Sequence, residues 1–220
     1  MTPPADPNED YLLSHISPEP PELHEVWRRT HLQCVYPRMC SGHLQGRLLR
    51  MIAAMVRPHR IIELGAFTGY SAMALAEGMP EGAELHTIEA DDEIEDTLRA
   101  NIATSPRAAD IHVHIGDALE VLPTLGGEWE LAFIDANKRH YVEYLEALLP
   151  QMAPGAFILA DNTLWGGKLP AESSGQAMSA HKPDAQTAGI MAFNDYVATH
   201  PRLHTVILPL RDGLTLLQLK

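Results

Sequence analysis

Hydrophobic positions along the chain follow one rhythm before Pro58 and another after it. In GHLQGRLLRMIAAMVR, Leu44, Leu48, Ile52 and Met55 recur every three or four residues, the spacing that places side chains on one helical face. A shorter helix is predicted in PELHEVWRRTH, where Pro21 suits a first turn because its missing N–H would be unpaired there in any case. Beyond Pro58, short apolar runs predict strands at Arg60–Leu64, Glu84–Glu89, Ile111–Ile115, Glu130–Ile134 and Gly155–Ala160. Helices are predicted between them, near Tyr70–Gly78, Asp92–Thr104, Ala118–Leu125 and His140–Met152. Strand–helix alternation of this kind specifies parallel βαβ units with right-handed crossovers. The last two runs, HTVILPL and LTLLQLK, are joined through RDG. Asp-Gly between apolar runs signals a hairpin, so the final strand is expected to run antiparallel to its neighbour. The pattern predicts an α/β fold: a doubly wound, seven-stranded sheet with an antiparallel C-terminal strand, preceded by helices. Residues 1–10, MTPPADPNED, show no periodicity and are read as a flexible tail. Residues 11–220 are read as a single domain, with N-terminal helices over 11–57 and the α/β core over 58–220.

Composition narrows the partners. A chain of 220 residues can bury a full core. Its net charge of -13 repels polyanions, which argues against nucleic acid or an anionic membrane as a partner and favours a neutral or cationic small ligand. Cys34 and Cys40 provide neither a disulfide framework nor zinc-ligand spacing, and are read as reduced thiols of a cytoplasmic protein. The acidic, proline-rich N-terminus is read as neither a signal peptide nor a transit sequence. No apolar run approaches the roughly 18 residues of a membrane span.

The stretch IIELGAFTGYSA, Ile61 to Ala72, carries the first chemistry. Gly65 and Gly69 follow the first predicted strand, where ligands bind in sheets of this class and where glycine lets the backbone turn and approach them. Glu89 closes the second strand 24 residues after Gly65, about where an acid meets a ribose hydroxyl pair. Two features point away from NAD. The spacing is G-x-x-x-G, without the middle glycine that cradles a pyrophosphate, and Glu63 just before it would repel a diphosphate. A carboxylate there suits a sulfonium, and a nucleoside bearing positive charge in place of phosphate is S-adenosylmethionine. The plainer alternative is that Gly65 and Gly69 only form a strand-to-helix turn.

ELGAFTGYSA followed in order by IEADDE, GDALEVLP, FIDANKRHY and LADNTLWGG resembles the cation-dependent small-molecule O-methyltransferases, the group of the catechol and caffeoyl-CoA enzymes. The match runs from about Met39 to Leu219. It implies a Rossmann-like fold and an S-adenosylmethionine site. Glu63, Gly65, Ala66, Phe67 and Ser71 would surround the methionine part, Glu89 would take the ribose hydroxyls, and Asp117 with Ala118 would border the adenine. Met39 and Ser41 match the segment that covers the cofactor from the N-terminal side. Phe67 stands where the catechol enzymes often have tyrosine, so stacking is kept and a hydroxyl is lost. Members of the group are usually dimers, with the N-terminal helices contributing.

Asp135 ends the fourth predicted strand, and Asp161 and Asn162 end the fifth. Two carboxylates and an amide oxygen make a hard, all-oxygen set suited to Mg²⁺, with Ca²⁺ or Mn²⁺ as alternatives, and leave positions open for substrate oxygens. A phenol is a weak nucleophile until it loses its proton, which a divalent cation promotes; Lys138, three residues past Asp135, is the candidate base. Asp135 thus serves as catalytic group, cation ligand and wall of the cofactor site. Each residue also has a blander role: Asp at a strand end caps helices or forms turns, and lysine is commonly a solvated surface residue. The expected activity is methylation of a hydroxyl on a small phenolic substrate, a vicinal diol of catechol or hydroxycinnamoyl type. A dehydrogenase using NAD and a non-catalytic S-adenosylmethionine-binding module are the alternatives.

The chain departs from the catechol enzymes in two places. Ala136 and Asn137 stand where those enzymes carry a bulky aromatic gate, and HTVILPLRDG offers no clear counterpart of their C-terminal substrate carboxylate. Leu164 and Trp165 are expected to wall the acceptor, and Asp212 to form the hairpin turn. The polar segment 166–186 reads as an active-site flap in which Lys168 and Lys182 would meet an acidic substrate. His112 and His114 alternate onto one strand face and raise the idea of a metal pair, although exposed or edge histidines read more simply.

Overall fold

A computed structural model describes residues 9–167, 169 and 183–220 of the chain. Three helices come first: α1 (Glu9–His15), α2 (Pro21–Gln33) and α3 (His43–Val56). Glu9 and Asp10, expected in a tail, belong to α1; the rest of that tail, like Lys168, Lys182 and most of the flap, lies outside the described residues. The core continues with β1 (Arg60–Leu64), α4 (Tyr70–Gly78), β2 (Glu84–Glu89), α5 (Glu95–Ile102), β3 (Ile111–Ile115), α6 (Ala118–Val121), β4 (Trp129–Ile134), α7 (Tyr141–Leu148) and β5 (Met152–Asp161). It closes with α8 (Ala185–Thr199), β6 (Leu203–Leu208) and β7 (Leu214–Leu219).

The first three strands occupy the spans their apolar runs predict. Some helices are shorter than predicted, for local reasons. After α6 the chain tightens to a 3-10 turn at Leu122–Thr124, and after α7 to another at Leu149–Gln151; each contains a proline, Pro123 and Pro150, which lacks the N–H needed to continue an α-helix. Ahead of α5, Asp91 caps a 3-10 turn at Asp92–Ile94 by accepting from the Glu93 N–H.

The seven strands form one sheet in the order β3-β2-β1-β4-β5-β7-β6. β3 through β5 run parallel, and β7 is antiparallel to both β5 and β6. From β1 the chain steps outward to β2 and β3, then returns past β1 to lay down β4 and β5. The direction of winding therefore reverses between β1 and β4, and their carboxyl ends diverge into a crevice.

Strand residues alternate between two cores. Ile61, Leu131, Phe133 and Leu159 pack with α2, α3, α4 and α5 on one side of the sheet. Ile62, Leu64, Ala132, Ile134 and Ile158 pack with α6, α7 and α8 on the other. α8 has no counterpart among the predicted helices, because Gly189 and scattered polar residues blur its pattern. Asp184 caps it, accepting from the N–H groups of Gln186 and Thr187. It buries Ile190 and Phe193 completely. Those two side chains contribute on the order of 3–6 kcal/mol, enough to outweigh a weak intrinsic propensity. Among the described residues no helix is long and apolar enough to cross a membrane.

Candidate active site

A cavity of about 820 Å³ opens at the reversal point, within the size range of small-molecule sites. The strands that meet there are held edge to edge to their last residues. Gly65 N–H donates to Ile88 carbonyl at 2.9 Å, Asp135 N–H to Leu64 at 2.8 Å and Gly116 N–H to Glu89 at 2.8 Å. The loop after β1 forms the floor. Gly65 has φ +99°, and a Cβ there would lie 2.1 Å from the Asp135 carbonyl oxygen, so only glycine lets the two strand ends close to this distance. Phe67 also adopts positive φ, 47°, and its N–H donates to Glu89 Oε2 at 2.6 Å. The loop is fastened from behind: the Thr30 hydroxyl donates to Thr68 Oγ1 at 2.8 Å, and Asn101 Nδ2 to the Thr68 carbonyl at 3.0 Å. α4 then begins at the cavity, where the first N–H groups of a helix lack intrahelical partners.

The opposite wall carries the charged groups. Asp135 leaves β4 and Asp161 ends β5, and both line the cavity with Asn162. Asn162 is held at φ 60°, a left-handed conformation asparagine tolerates better than most residues. Lys138 is buried; its Nζ donates to Asp135 Oδ1 at 2.7 Å and lies 5.1 Å from the centre of the Tyr141 ring. Asp161 is 5 % exposed and accepts from Gln45 Nε2 at 2.8 Å. Burial, and next the neighbouring Asp135 carboxylate, push the Asp161 carboxyl up to about 6 from its ordinary 3.8. Two acids so placed repel each other, and an oxygen-binding cation among Asp135, Asp161 and Asn162 would relieve that repulsion. The donor set therefore fits the group expected there.

Of the residues singled out from the sequence, Met39, Ser41, Gly65, Ala66, Phe67, Ser71, Glu89, Asp117, Ala118, Asp135, Lys138, Asp161 and Asn162 all line this one cavity. Glu63 does not. It is fully buried on the α4 side of the sheet, accepts a hydrogen bond from the Thr87 hydroxyl, and burial raises its carboxyl to about 7. Trp165 is part of the wall and donates through Nε1 to Thr187 Oγ1 at 2.9 Å, whereas Leu164 is not part of it. Asp212 makes the expected hairpin turn but also borders the cavity, and its carbonyl accepts from Leu164 and Trp165. Sequence reasoning passed over Gln45 and Arg211. Arg211 lines the cavity, donates to Gln45 Oε1 at 2.7 Å and contacts the Ser41 carbonyl, tying the β6–β7 hairpin to α3.

A family model described as O-methyltransferase matches residues 14–220. The chain is 32% identical over 222 residues to O-methyltransferase ankF of Aspergillus thermomutatus, covering 96% of this chain and 92% of that protein. It is 31% identical over 186 residues to a caffeoyl-CoA O-methyltransferase of Stellaria longipes, covering 80% and 75%. Its structure superposes on the O-methyltransferase TomG of Streptomyces achromogenes, solved in complex with SAM, with a TM-score of 0.85 and 28% identity over 96% and 95% of the two chains. From the reversal-point cavity to the antiparallel closing strand, the chain belongs to the O-methyltransferase family.

Proposed function

We propose that this protein transfers the methyl group of S-adenosylmethionine to one hydroxyl of a small aromatic vicinal diol, a catechol or hydroxycinnamoyl compound, with a divalent cation held by Asp135, Asp161 and Asn162. One observation carries the cation dependence: two carboxylates share a buried cleft in which Asp161 is charged at a cost that a cation would remove. The donor assignment is supported by the reversal-point loop and by the likeness to a protein solved with SAM. The acceptor class is supported by the caffeoyl-CoA relative.

A cation held by Asp135, Asp161 and Asn162 would supply positive charge that makes an acceptor hydroxyl more acidic, and S-adenosylmethionine would supply an electrophilic methyl group. The protein's own residues then align and insulate the pair. Gly65 lets the β1 loop approach the donor, and Glu89 offers a carboxylate to its ribose. Lys138 Nζ, oriented by Asp135 and by the Tyr141 ring, would release its own proton once a cation is bound beside it and could then take the acceptor's proton. Trp165 closes the acceptor side. Holding nucleophile and methyl donor in line accounts for roughly 7–11 kcal/mol of barrier lowering in favourable cases. We also propose a homodimer, joined through the exposed apolar residues Leu32, at the end of α2, and Val35 and Tyr36 just after it.

The decisive experiment incubates the chelator-treated protein with S-adenosylmethionine and a panel of phenols, with and without Mg²⁺, and reads product by mass. A methylated vicinal diol formed only when Mg²⁺ is restored is the expected result; equal turnover without cation overturns the proposal. Gln45→Leu tests the support beneath the site. It leaves the Asp161 carboxylate buried without its Gln45 donor and removes the side-chain acceptor of Arg211, so the apparent Mg²⁺ affinity should fall about 10–100-fold. A Mg²⁺ titration of initial rate reads this directly.

A further inference from the structure

Three histidines and a carboxylate converge on the β2–β3 edge of the sheet, and methyl transfer uses none of them. The parallel register sets His86 beside His112 and Ile88 beside His114, so Glu84, His86, His112 and His114 share one face. Glu84 opens β2 five residues before Glu89, roughly 16 Å along the strand from the cleft. His86 Nδ1 lies 3.0 Å from His114 Nε2. His86 Nε2 is buried and makes no hydrogen bond, although Glu84 Oε1 stands 3.4 Å away. His112 Nε2 lies 3.9 Å from Glu84 Oε2. One ligand atom from each of Glu84, His86 and His112 falls within 4.8 Å of the others.

The local bonding prepares these atoms for a cation. When His86 donates from Nδ1 to His114, the lone pair on Nε2 is left facing a carboxylate oxygen, so two acceptors confront each other. A metal-ligating histidine is commonly fixed in this way, by a hydrogen bond from its other ring nitrogen. Arg60 donates from Nε to Glu84 Oε1 at 2.6 Å, orienting the carboxylate and leaving Oε2 turned toward His112. The Arg60 guanidinium in turn lies 4.1 Å over Trp129, whose ring packs edge-on against His86. The charged neighbours are thus Arg60, already engaged, and Arg99, which acts on His114.

We infer that Glu84, His86 and His112 form a second metal site, for a borderline-soft divalent ion such as Zn²⁺ or Ni²⁺. Imidazole nitrogen suits these ions, whereas Mg²⁺ and Ca²⁺ prefer an all-oxygen set like that of the cleft. Bonds of about 2.0–2.2 Å in a tetrahedron separate ligand atoms by roughly 3.3–3.6 Å. Small rotations close the gap, because the His112 and Glu84 side chains are 45% and 41% exposed and His86 stays fixed beneath them. Water completes the coordination. The ion would clip the edge strand β3 to β2.

The test titrates metal-free, untagged protein with Zn²⁺ by calorimetry in excess Mg²⁺, which occupies the oxygen-lined cleft. One zinc per chain at micromolar affinity or tighter is expected, and His112→Ala should weaken it at least tenfold. Because His112 is exposed, that variant keeps its fold, and circular dichroism checks this. Co²⁺ substituted for zinc should give the visible absorption of a four-coordinate site in the parent chain and lose it in His112→Ala. Equal zinc affinity in the parent and in His112→Ala, or displacement of the zinc by Mg²⁺, overturns the assignment. Neither outcome bears on the methyl-transfer site.

Discussion

Asp161→Asn should abolish nearly all turnover while making the folded protein more stable. The kinetic loss follows, on the proposed mechanism, from removing one of the two carboxylates assigned to the cation: with half that charge gone, the acceptor hydroxyl would keep its proton at neutral pH. A fall in kcat/KM of at least about 10²–10³-fold is expected under Mg²⁺ concentrations that saturate the parent protein. The stability gain has the opposite origin. Asp161 is almost completely enclosed, and burial and Asp135 raise its carboxyl to about 6, above the 3.8 of an unfolded chain. A raised carboxyl pKa means folding penalises the charged form. The penalty is fully present above about pH 6, shrinks as pH falls through the interval, and vanishes below about pH 4. Asparagine keeps an oxygen for the Gln45 donor and carries no charge. In chelator, the variant should therefore be more stable by on the order of 2–3 kcal/mol at pH 8 and no more stable at pH 4. Saturating Mg²⁺ should return the advantage to the parent protein, since a ligand bound only by the folded state stabilises it. Urea unfolding at the two pH values, with and without Mg²⁺, reads all of this. Unchanged turnover in Asp161→Asn would place the cation elsewhere.

The parts of this site that were legible in the sequence share a physical reason. A strand buried on both faces reads as a near-continuous apolar run, so Leu131–Ile134 and Ile158–Ala160 announce themselves, and the first polar residue after each run falls at the carboxyl edge of the sheet. Asp135, Asp161 and Asn162 were readable for that reason. Glu63 was not, because it lies one residue inside the strand. Side chains alternate along a strand, and the one at Glu63 turns into the core beside Ser71 and Thr87 rather than toward the cavity.

Gln45 and Arg211 were invisible for a different reason. Gln45 reaches Asp161 across 116 residues and Arg211 reaches Gln45 across 166, and no local pattern encodes such contacts. Arg211 was further masked by sitting in Arg-Asp-Gly, where turn chemistry already accounts for each residue. α8 was missed because its evidence is tertiary: Ile190, Phe193 and Val197 count as a face only once the sheet they cover is in place.

Gly65→Ala should be the most damaging single-methyl change in the described fold, and Gly82→Ala supplies its control. Both glycines sit at positive φ, +99° and +79°, so alanine pays a backbone strain of about 1–2 kcal/mol at either position. Around Gly82 a Cβ meets nothing within 4 Å, so strain is the whole effect. At Gly65 the added carbon would stand 2.1 Å from the Asp135 carbonyl oxygen and 2.7 Å from its carbon, both backbone atoms that cannot rotate away. Relief requires the ends of β1 and β4 to separate, which breaks the Asp135 N–H bond to Leu64 and moves Asp135 away from the loop after β1. The expected loss of stability is on the order of 3–5 kcal/mol, against about 1–2 for Gly82→Ala. Affinity for S-adenosylmethionine should fall at least tenfold in the first variant and remain unchanged in the second. Denaturant unfolding and calorimetry on the two proteins side by side measure both quantities. If the variants lose equal stability and bind the donor equally well, the close approach of the two strand ends is not what shapes the cleft.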